Sequence, residues 1–343
     1  MILAPISSGA MGDFVSYLSE QLCASTVFLC QGNDVSLDES VAVKRSPYAF
    51  KPRLIRVIAE NIIPLQIFII LTTLFKSPRP DVVYIANSES RPWVLICIFI
   101  LRYLFRIDVN LIVHDPRPHR GNIAEIIFYS FSLASRAISS RLIFLSEYNF
   151  YSYGQAGKSS FLPLRPSSYL IKLMQPSLVD SPLAPSEATS LLFFGRIEPY
   201  KGLLETVLLV KKLIRSTWFA DRVSSSFIIN IYGVGNHQYS QVLAAEINSL
   251  PFASNLLVRR HNVFMSNEEI AELIRSSSGI LMPYTDYSNS CIPFFAKLFD
   301  KPVLCSEHPA LVAHLLENGC INRPFGIHDP SSLCDALLWL SSL

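Results

Sequence analysis

The sequence predicts a parallel α/β architecture in two domains, and three observations carry that expectation. Strand-like apolar runs at 2–6, 27–30, 81–86, 109–113 and 141–145 alternate with helical patterns at about 12–23, 54–75, 91–105 and 122–138, the alternation that builds a parallel sheet from βαβ units. The same alternation resumes after residue 190. Between the halves, the stretch 162–190 holds five prolines and many serines, which break either periodicity. A chain of 343 residues is long enough for two cores of ordinary domain size. The expectation is an N-terminal Rossmann-like domain over 1–165, a linker over 166–189 and a C-terminal Rossmann-like domain over 190–343, with the two parallel sheets facing across a cleft.

In the first half, the opening strand runs into SSGAMGDF (7–14), and Leu111–Val113 reads as a buried strand ending at HDPRPHRG (114–121). In the second half, the strand Leu191–Phe194 precedes GRIEPYKG (195–202) and a helical pattern from Leu203 to Ile214. The strand Phe227–Tyr232 then leads into GVG (233–235). A helix over 266–277 opens on Ser266 with Glu269 three residues on, a capping box ahead of the apolar stripe Ile270, Leu273 and Ile274. The strand Gly279–Tyr284 ends in PYTDYSNSCIPFF. Ligands of open α/β sheets gather beyond the carboxyl ends of strands, so these loops are where a site belongs.

Composition narrows the function classes. Lys and Arg number 29 against 27 Asp and Glu, a net charge of +2 that does not suggest a nucleic-acid binder. Charged residues make up only 16%, against a usual value of about 25%. Mean hydropathy is +0.34. The surface is therefore expected to be unusually apolar or to rest against something apolar, a membrane face being the first candidate. The longest apolar runs, Ile62–Phe75 and Trp93–Phe105, fall short of the about 20 residues needed to cross a bilayer, and Arg102 interrupts the second. The N-terminus lacks a basic segment ahead of its apolar residues, so it reads as a first strand rather than a signal peptide, and a cytoplasmic location is expected. Seven cysteines, at 23, 30, 97, 291, 305, 320 and 334, show neither metal-site spacing nor disulfide density and read as reduced thiols.

GRIEPYKG carries the most chemistry. A strand ending in a short loop and then a helix N-terminus is a ready anion site, because backbone N–H groups and the helix dipole point at whatever binds there. Arg196 offers a planar fork and Lys201 a mobile point charge, a pair suited to a diphosphate. Taken alone, the same residues also fit a surface loop with two solvated charges. The string, however, closely resembles the Gly-Arg-x-x-x-x-Lys-Gly segment of family 4 retaining glycosyltransferases. Further matches follow in order: Phe227–Tyr232 into GVG, SNEEIAELIRSSSGILMPY at 266–284, and DKPVLCSE at 300–307. The resemblance covers essentially the whole C-terminal half and implies a GT-B fold, in which Gly195, Arg196 and Lys201 hold the diphosphate of a nucleotide-sugar donor.

The resemblance also has a departure. Many relatives carry a Glu-x7-Glu pattern in the loop after 284, and alignment through Lys301-Pro302 puts Tyr287 and Phe295 at the two carboxylate positions. Asp286 is the expected substitute acid, and the backbone at Ser290, Cys291 and Ile292 is expected to donate N–H groups to phosphate. Gly233 and Gly235 read either as a turn lining the nucleoside pocket or as a plain strand-to-helix turn. In the N-terminal half, relatives lay a Gly-rich loop over the donor, here Gly9 and Gly12. His114 matches the position where relatives place a His against the transferred sugar. His119, with Arg117 and Arg120, fits an anionic acceptor or a solvated loop, and two histidines five apart without Cys or paired acids make a poor metal site. The basic stretch 44–56 ahead of the apolar run 57–75 fits anionic lipid headgroups or, for the helix, plain core.

The expectation is thus a retaining glycosyltransferase moving a sugar from a nucleoside-diphosphate sugar to a saccharide acceptor, lipid-linked, in cell-surface polysaccharide synthesis. It would need neither cofactor nor metal and would sit peripherally on the inner face of the membrane. Two rivals remain: a sugar-nucleotide epimerase, which needs carboxylates for proton transfer, and a catalytically silent binding subunit of the same fold, which the missing Glu pair favours.

Overall fold

The computed structural model describes residues 1–4, 10–24, 26–29, 37, 39–45, 79–87, 91–118, 123–174, 188–253 and 255–343. The chain divides into two compact units, Met1–Ile171 and Lys172–Leu343.

The first unit is a seven-stranded parallel sheet of β1 (Ile2–Ala4), β2 (Thr26–Leu29), β3 (Ala42–Arg45), β4 (Val82–Ile85), β5 (Asp108–Val113), β6 (Arg141–Phe144) and β7 (Ser159–Phe161), ordered 3-2-1-4-5-6-7. Its helices are α1 (Ala10–Gln21), α2 (Pro92–Phe99, continued by a π turn over Ile100–Leu104), α3 (Ile123–Ile138), α4 (Glu147–Tyr153) and α5 (Ser168–Met174). The inner strands are buried on both faces, and hence read as continuous apolar runs: β5 is buried from Val109 to Val113. Trp93, Val94, Cys97, Ile98 and Leu101 pack α2 and the π turn onto that sheet, while Phe99, Tyr103 and Leu104 face out. The charge inside this apolar run has a structural job, since Arg102 donates to the Ile138 and Ser139 carbonyls at the C-terminus of α3.

The second unit is a six-stranded parallel sheet of β8 (Ala188–Phe194), β9 (Ser226–Tyr232), β10 (Leu256–His261), β11 (Gly279–Met282), β12 (Val303–Ser306) and β13 (Asn322–Phe325), ordered 10-9-8-11-12-13. It carries α6 (Leu203–Arg215), α7 (Thr217–Arg222), α8 (His237–Asn248), α9 (Asn267–Ser276), α10 (Ile292–Leu298), α11 (Pro309–Glu317) and α12 (Pro330–Ser341). The capping box of α9 forms as expected, with Glu269 N–H donating to Ser266 Oγ at 3.2 Å and Ser266 N–H to the Glu269 carboxylate at 2.7 Å. In each sheet the winding reverses beside the first strand, between β1 and β4 and between β8 and β11. Such a reversal opens a crevice at the carboxyl ends of the two strands.

Three sequence expectations change. The stretch 166–189 is not plain linker, because α5 and the first residues of β8 fall inside it; residues 175–187 lie outside the described set. Two edge strands, β3 and β7, had no strand-like run to announce them. Gly12 sits in the first turn of α1 instead of a loop. Gly9, His119, Arg120, most of 44–56 and all of 57–75 lie outside the described residues. Among those described, no helix is long and apolar enough to cross a membrane. Among the described residues six cysteines are free thiols, and burial pushes Cys97 and Cys305 up to about 12.

Candidate functional site

The loop after β8 and the loop after β11 meet at the β8/β11 reversal. Pro199–Lys201 forms a 3-10 turn, and Gly202 follows in the left-handed region at φ 69°, as the N-cap of α6. A Cβ at Gly202 would lie 1.9 Å from the Pro283 carbonyl oxygen, so conformation and contact both require glycine. The Tyr200 carbonyl accepts from Thr285 N at 2.9 Å, Asp286 N at 3.3 Å and Thr285 Oγ1 at 3.2 Å. Four contacts therefore fix one loop upon the other.

The two cations are held differently. Arg196 has a side chain 79% exposed, its Nη2 2.7 Å from Glu198 Oε1. An exposed pair is worth about 0–1 kcal/mol, so the fork exchanges readily onto a stronger anion. Lys201 lies inward, with Nζ 3.8 Å above the ring centroid of Tyr284 and 5.2 Å from that of Tyr200. The helix terminus contributes less than the sequence implied. The Leu204 N–H of α6 is taken by the Tyr239 hydroxyl at 3.0 Å, a phenol that burial pushes up to about 12. The cations are thus the main positive groups this loop presents.

Gly233 and Gly235 serve close approach. Gly195 N–H donates to the Tyr232 carbonyl at 3.1 Å, Ile197 N–H to Val234 at 3.0 Å and Asn236 N–H to Ile197 at 3.1 Å, continuing β8 and β9 past their ends. A Cβ at Gly233 would stand 1.8 Å from the Gly195 carbonyl oxygen. Gly195 is thus brought against Gly233, and the cationic loop is braced on its other side.

The loop from Tyr284 to Cys291 is mostly interior. Asp286 is buried, its Oδ1 accepting Tyr287 N–H at 3.0 Å and lying 3.9 Å from Nε2 of His308, the N-cap of α11. The sequence does not single out His308. Ser290 Oγ accepts the Ile292 N–H at 3.2 Å, so that amide is spent within the loop instead of being offered to phosphate. Cys291 is half-buried at the N-cap of α10. The positions aligned with the family's carboxylates are both interior: Phe295 is buried in α10 beside Phe294, and the buried Tyr287 shares a 2.6 Å hydrogen bond with His314 Nδ1.

Burial holds His314 down at about 4, which makes stability pH-dependent. The unfolded chain takes up a proton near 6.5 while the folded one resists until about 4, so stability is full above 6.5 and falls as pH drops through that window. The shift corresponds to about 3 kcal/mol. Wild-type melting temperature is expected to fall between pH 6.5 and 4.5 more steeply than that of His314→Gln; parallel profiles would remove His314 as the cause.

In the first unit, His114 stands at the carboxyl end of β5. Its Nε2 donates to the Ala86 carbonyl at 2.8 Å, and its ring lies edge-on to Phe14 at 4.7 Å. Burial lowers its pKa below the usual histidine value, against the opposing pull of Asp115 and the Ala86 bond. The following loop is clamped from α3: buried Arg136 donates to the Pro116 carbonyl at 2.7 Å and Asp115 carbonyl at 2.8 Å, and Tyr129 Oη to Pro116 at 2.9 Å. This clamp is not legible in residue order, where Arg136 is one more cation near a helix end.

No protein-family model and no curated protein matches the sequence. Solved structures do match in fold. HepE of Anabaena, in complex with UDP and glucose, is 15% identical, with 98% of this chain and 89% of that one covered at a TM-score of 0.67. The UDP-forming α,α-trehalose-phosphate synthase of Burkholderia vietnamiensis is 12% identical over 100% of this chain and 92% of that one, TM-score 0.68. The trehalose-6-phosphate synthase of E. coli bound with UDP-2-fluoro glucose is 12% identical over 100% and 92%, TM-score 0.66. The fold is therefore GT-B, with two Rossmann-like domains, each built on a parallel sheet.

Proposed function

We propose that the protein is a glycosyltransferase that moves a sugar, with retention, from a nucleoside-diphosphate sugar to a saccharide acceptor. The observation that supports this most is the placement of Arg196 and Lys201 on a braced loop at the β8/β11 reversal, in a fold shared with proteins crystallised with UDP and UDP-sugars. Negative charge grows on the leaving diphosphate as the glycosidic bond breaks, and the seated Lys201 with the exposed, mobile Arg196 would stabilise that charge without a metal or cofactor. Gly233 lets the Gly195 carbonyl come close beside it, bracing the cationic loop, and the buried Asp286 lies 3.9 Å from His308 within the neighbouring loop. The test is incubation of the purified chain with a panel of nucleoside-diphosphate sugars, UDP-glucose first, scoring donor hydrolysis and transfer. Binding without turnover of any donor would favour a silent subunit, the reading that buried Tyr287 and Phe295 support.

His114 would orient the transferred sugar as a neutral donor or acceptor. His114→Ala is expected to lower kcat with little change in KM for the donor, because a group touching the transferred sugar acts mainly in the transition state. Unchanged kcat with a raised donor KM would assign it a structural role.

The acceptor is proposed to be lipid-linked, in cell-surface polysaccharide synthesis at the inner face of the cytoplasmic membrane. The low charge content and the exposed Phe99, Tyr103 and Leu104 support contact with an apolar surface. Co-sedimentation with vesicles is expected to rise with anionic lipid and fall with salt, which screens over about 10 Å at 0.1 M. Indifference to both would remove the headgroup contact.

A further inference from the structure

The geometry points to Tyr284 as the positioning residue for Lys201, an aromatic seat that fixes the ammonium where a diphosphate would bind. This rests on the proposed donor site. Tyr284 follows β11 across the reversal from the cationic loop and is 1% exposed. Its ring is held edge-on by Phe193 at 6.5 Å and flanked by Tyr287 at 5.9 Å, while its carbonyl accepts from Ser306 Oγ at 2.5 Å. The backbone beneath Lys201 is fixed as well, by its N–H bond to the Glu198 carbonyl at 3.0 Å and by the tight Gly202–Pro283 contact.

A lysine side chain has four rotatable bonds and gains little from a site unless something pins it. Here Nζ stands 3.8 Å over the Tyr284 centroid with the Tyr200 ring at 5.2 Å. The negative face of a buried ring attracts an ammonium more strongly than an exposed one does, because water no longer screens the contact. The Tyr284 hydroxyl is buried, with Ser290 beside it. The π face is common to tyrosine and phenylalanine, so the contact with Lys201 calls on the ring and not on the hydroxyl.

The test is a set of calorimetric titrations with UDP and with uridine on wild type, Lys201→Ala, Tyr284→Phe, Tyr284→Leu and the Lys201→Ala/Tyr284→Leu double variant. Tyr284→Leu is expected to weaken UDP about tenfold while uridine shifts by less than about twofold, and to add nothing in the Lys201→Ala background. Tyr284→Phe is expected to keep UDP affinity within about twofold, since the π face remains. Equal losses for UDP and uridine, or full additivity with Lys201→Ala, would reduce Tyr284 to core and overturn the inference. If Lys201→Ala weakens UDP but Tyr284→Leu does not, the inference alone falls. If Lys201→Ala leaves UDP affinity intact, the donor site falls with it. Should Tyr284→Leu fail to fold, ring-fluorinated phenylalanines at position 284 weaken the negative face at nearly constant shape; UDP affinity is then expected to drop with each fluorine, and a flat series overturns the seat.

Discussion

Lys201→Ala and Arg196→Ala are each expected to lower sugar transfer by on the order of a hundredfold or more, the loss typical of removing one donor to a developing charge. The structure makes this separable from a folding defect. Arg196 is 79% exposed and pairs with Glu198, whose side chain is 17% exposed, so its truncation is expected to cost no more than about 1 kcal/mol. Lys201 leaves a buried aromatic face uncovered, a cost of about 1–2 kcal/mol at most by the usual worth of a desolvated cation–π contact. Activity should therefore fall far more than melting temperature. The two also differ in how they are held: Lys201 is seated over Tyr284, whereas Arg196 would have to leave Glu198 to reach an anion. Measuring kcat/KM for whichever nucleotide sugar is turned over, beside thermal melts, checks both points. Two variants as active as the parent would sink the site.

Those cations were legible in the sequence because a short loop encodes their neighbourhood. The strand, the turn, the glycine and the helix around Lys201 all lie within one continuous segment, and Leu191–Phe194 is apolar throughout because both faces of β8 are covered at that end. The inner strands of each sheet were readable for the same reason. Edge strands β3 and β7 were not, since only one side of each is paired and a short segment such as Ser159–Phe161 is held by backbone hydrogen bonds to β6 that leave no pattern in residue type. The partners that position the site were invisible for a different reason. Tyr284 meets Lys201, Arg136 meets Pro116 and His308 meets Asp286 across 83, 20 and 22 positions of chain. Such contacts are set by sheet order, which periodicity does not report. The glycines show the boundary well: Gly233 reads as a turn residue, and its φ of 149° and the Gly195 carbonyl, 1.8 Å from where a Cβ would stand, show why no other residue fits.

The loop aligned with the family's paired carboxylates gives the second large effect. Phe295→Glu places a carboxylate where the wild-type ring is only 7% exposed, in the middle of a seven-residue helix with Pro293 and Ala296 buried around it. Had the side chain faced a ligand, the restored acid would tighten donor binding through charge-assisted hydrogen bonds worth about 1.5–3 kcal/mol each. Its burial points the other way. An unpaired carboxylate there must either stay charged in an apolar shell or take up a proton at a raised pKa, and the aromatic packing is lost in both cases. The expected cost is on the order of 4 kcal/mol or more, a drop of about 10 °C or more in melting temperature for a unit of this size. Nucleoside-diphosphate affinity of the remaining folded protein, measured by calorimetry well below that temperature, is expected to stay at the wild-type value. A variant that melts like the parent and binds donor more tightly would show that Phe295 turns to the crevice after all.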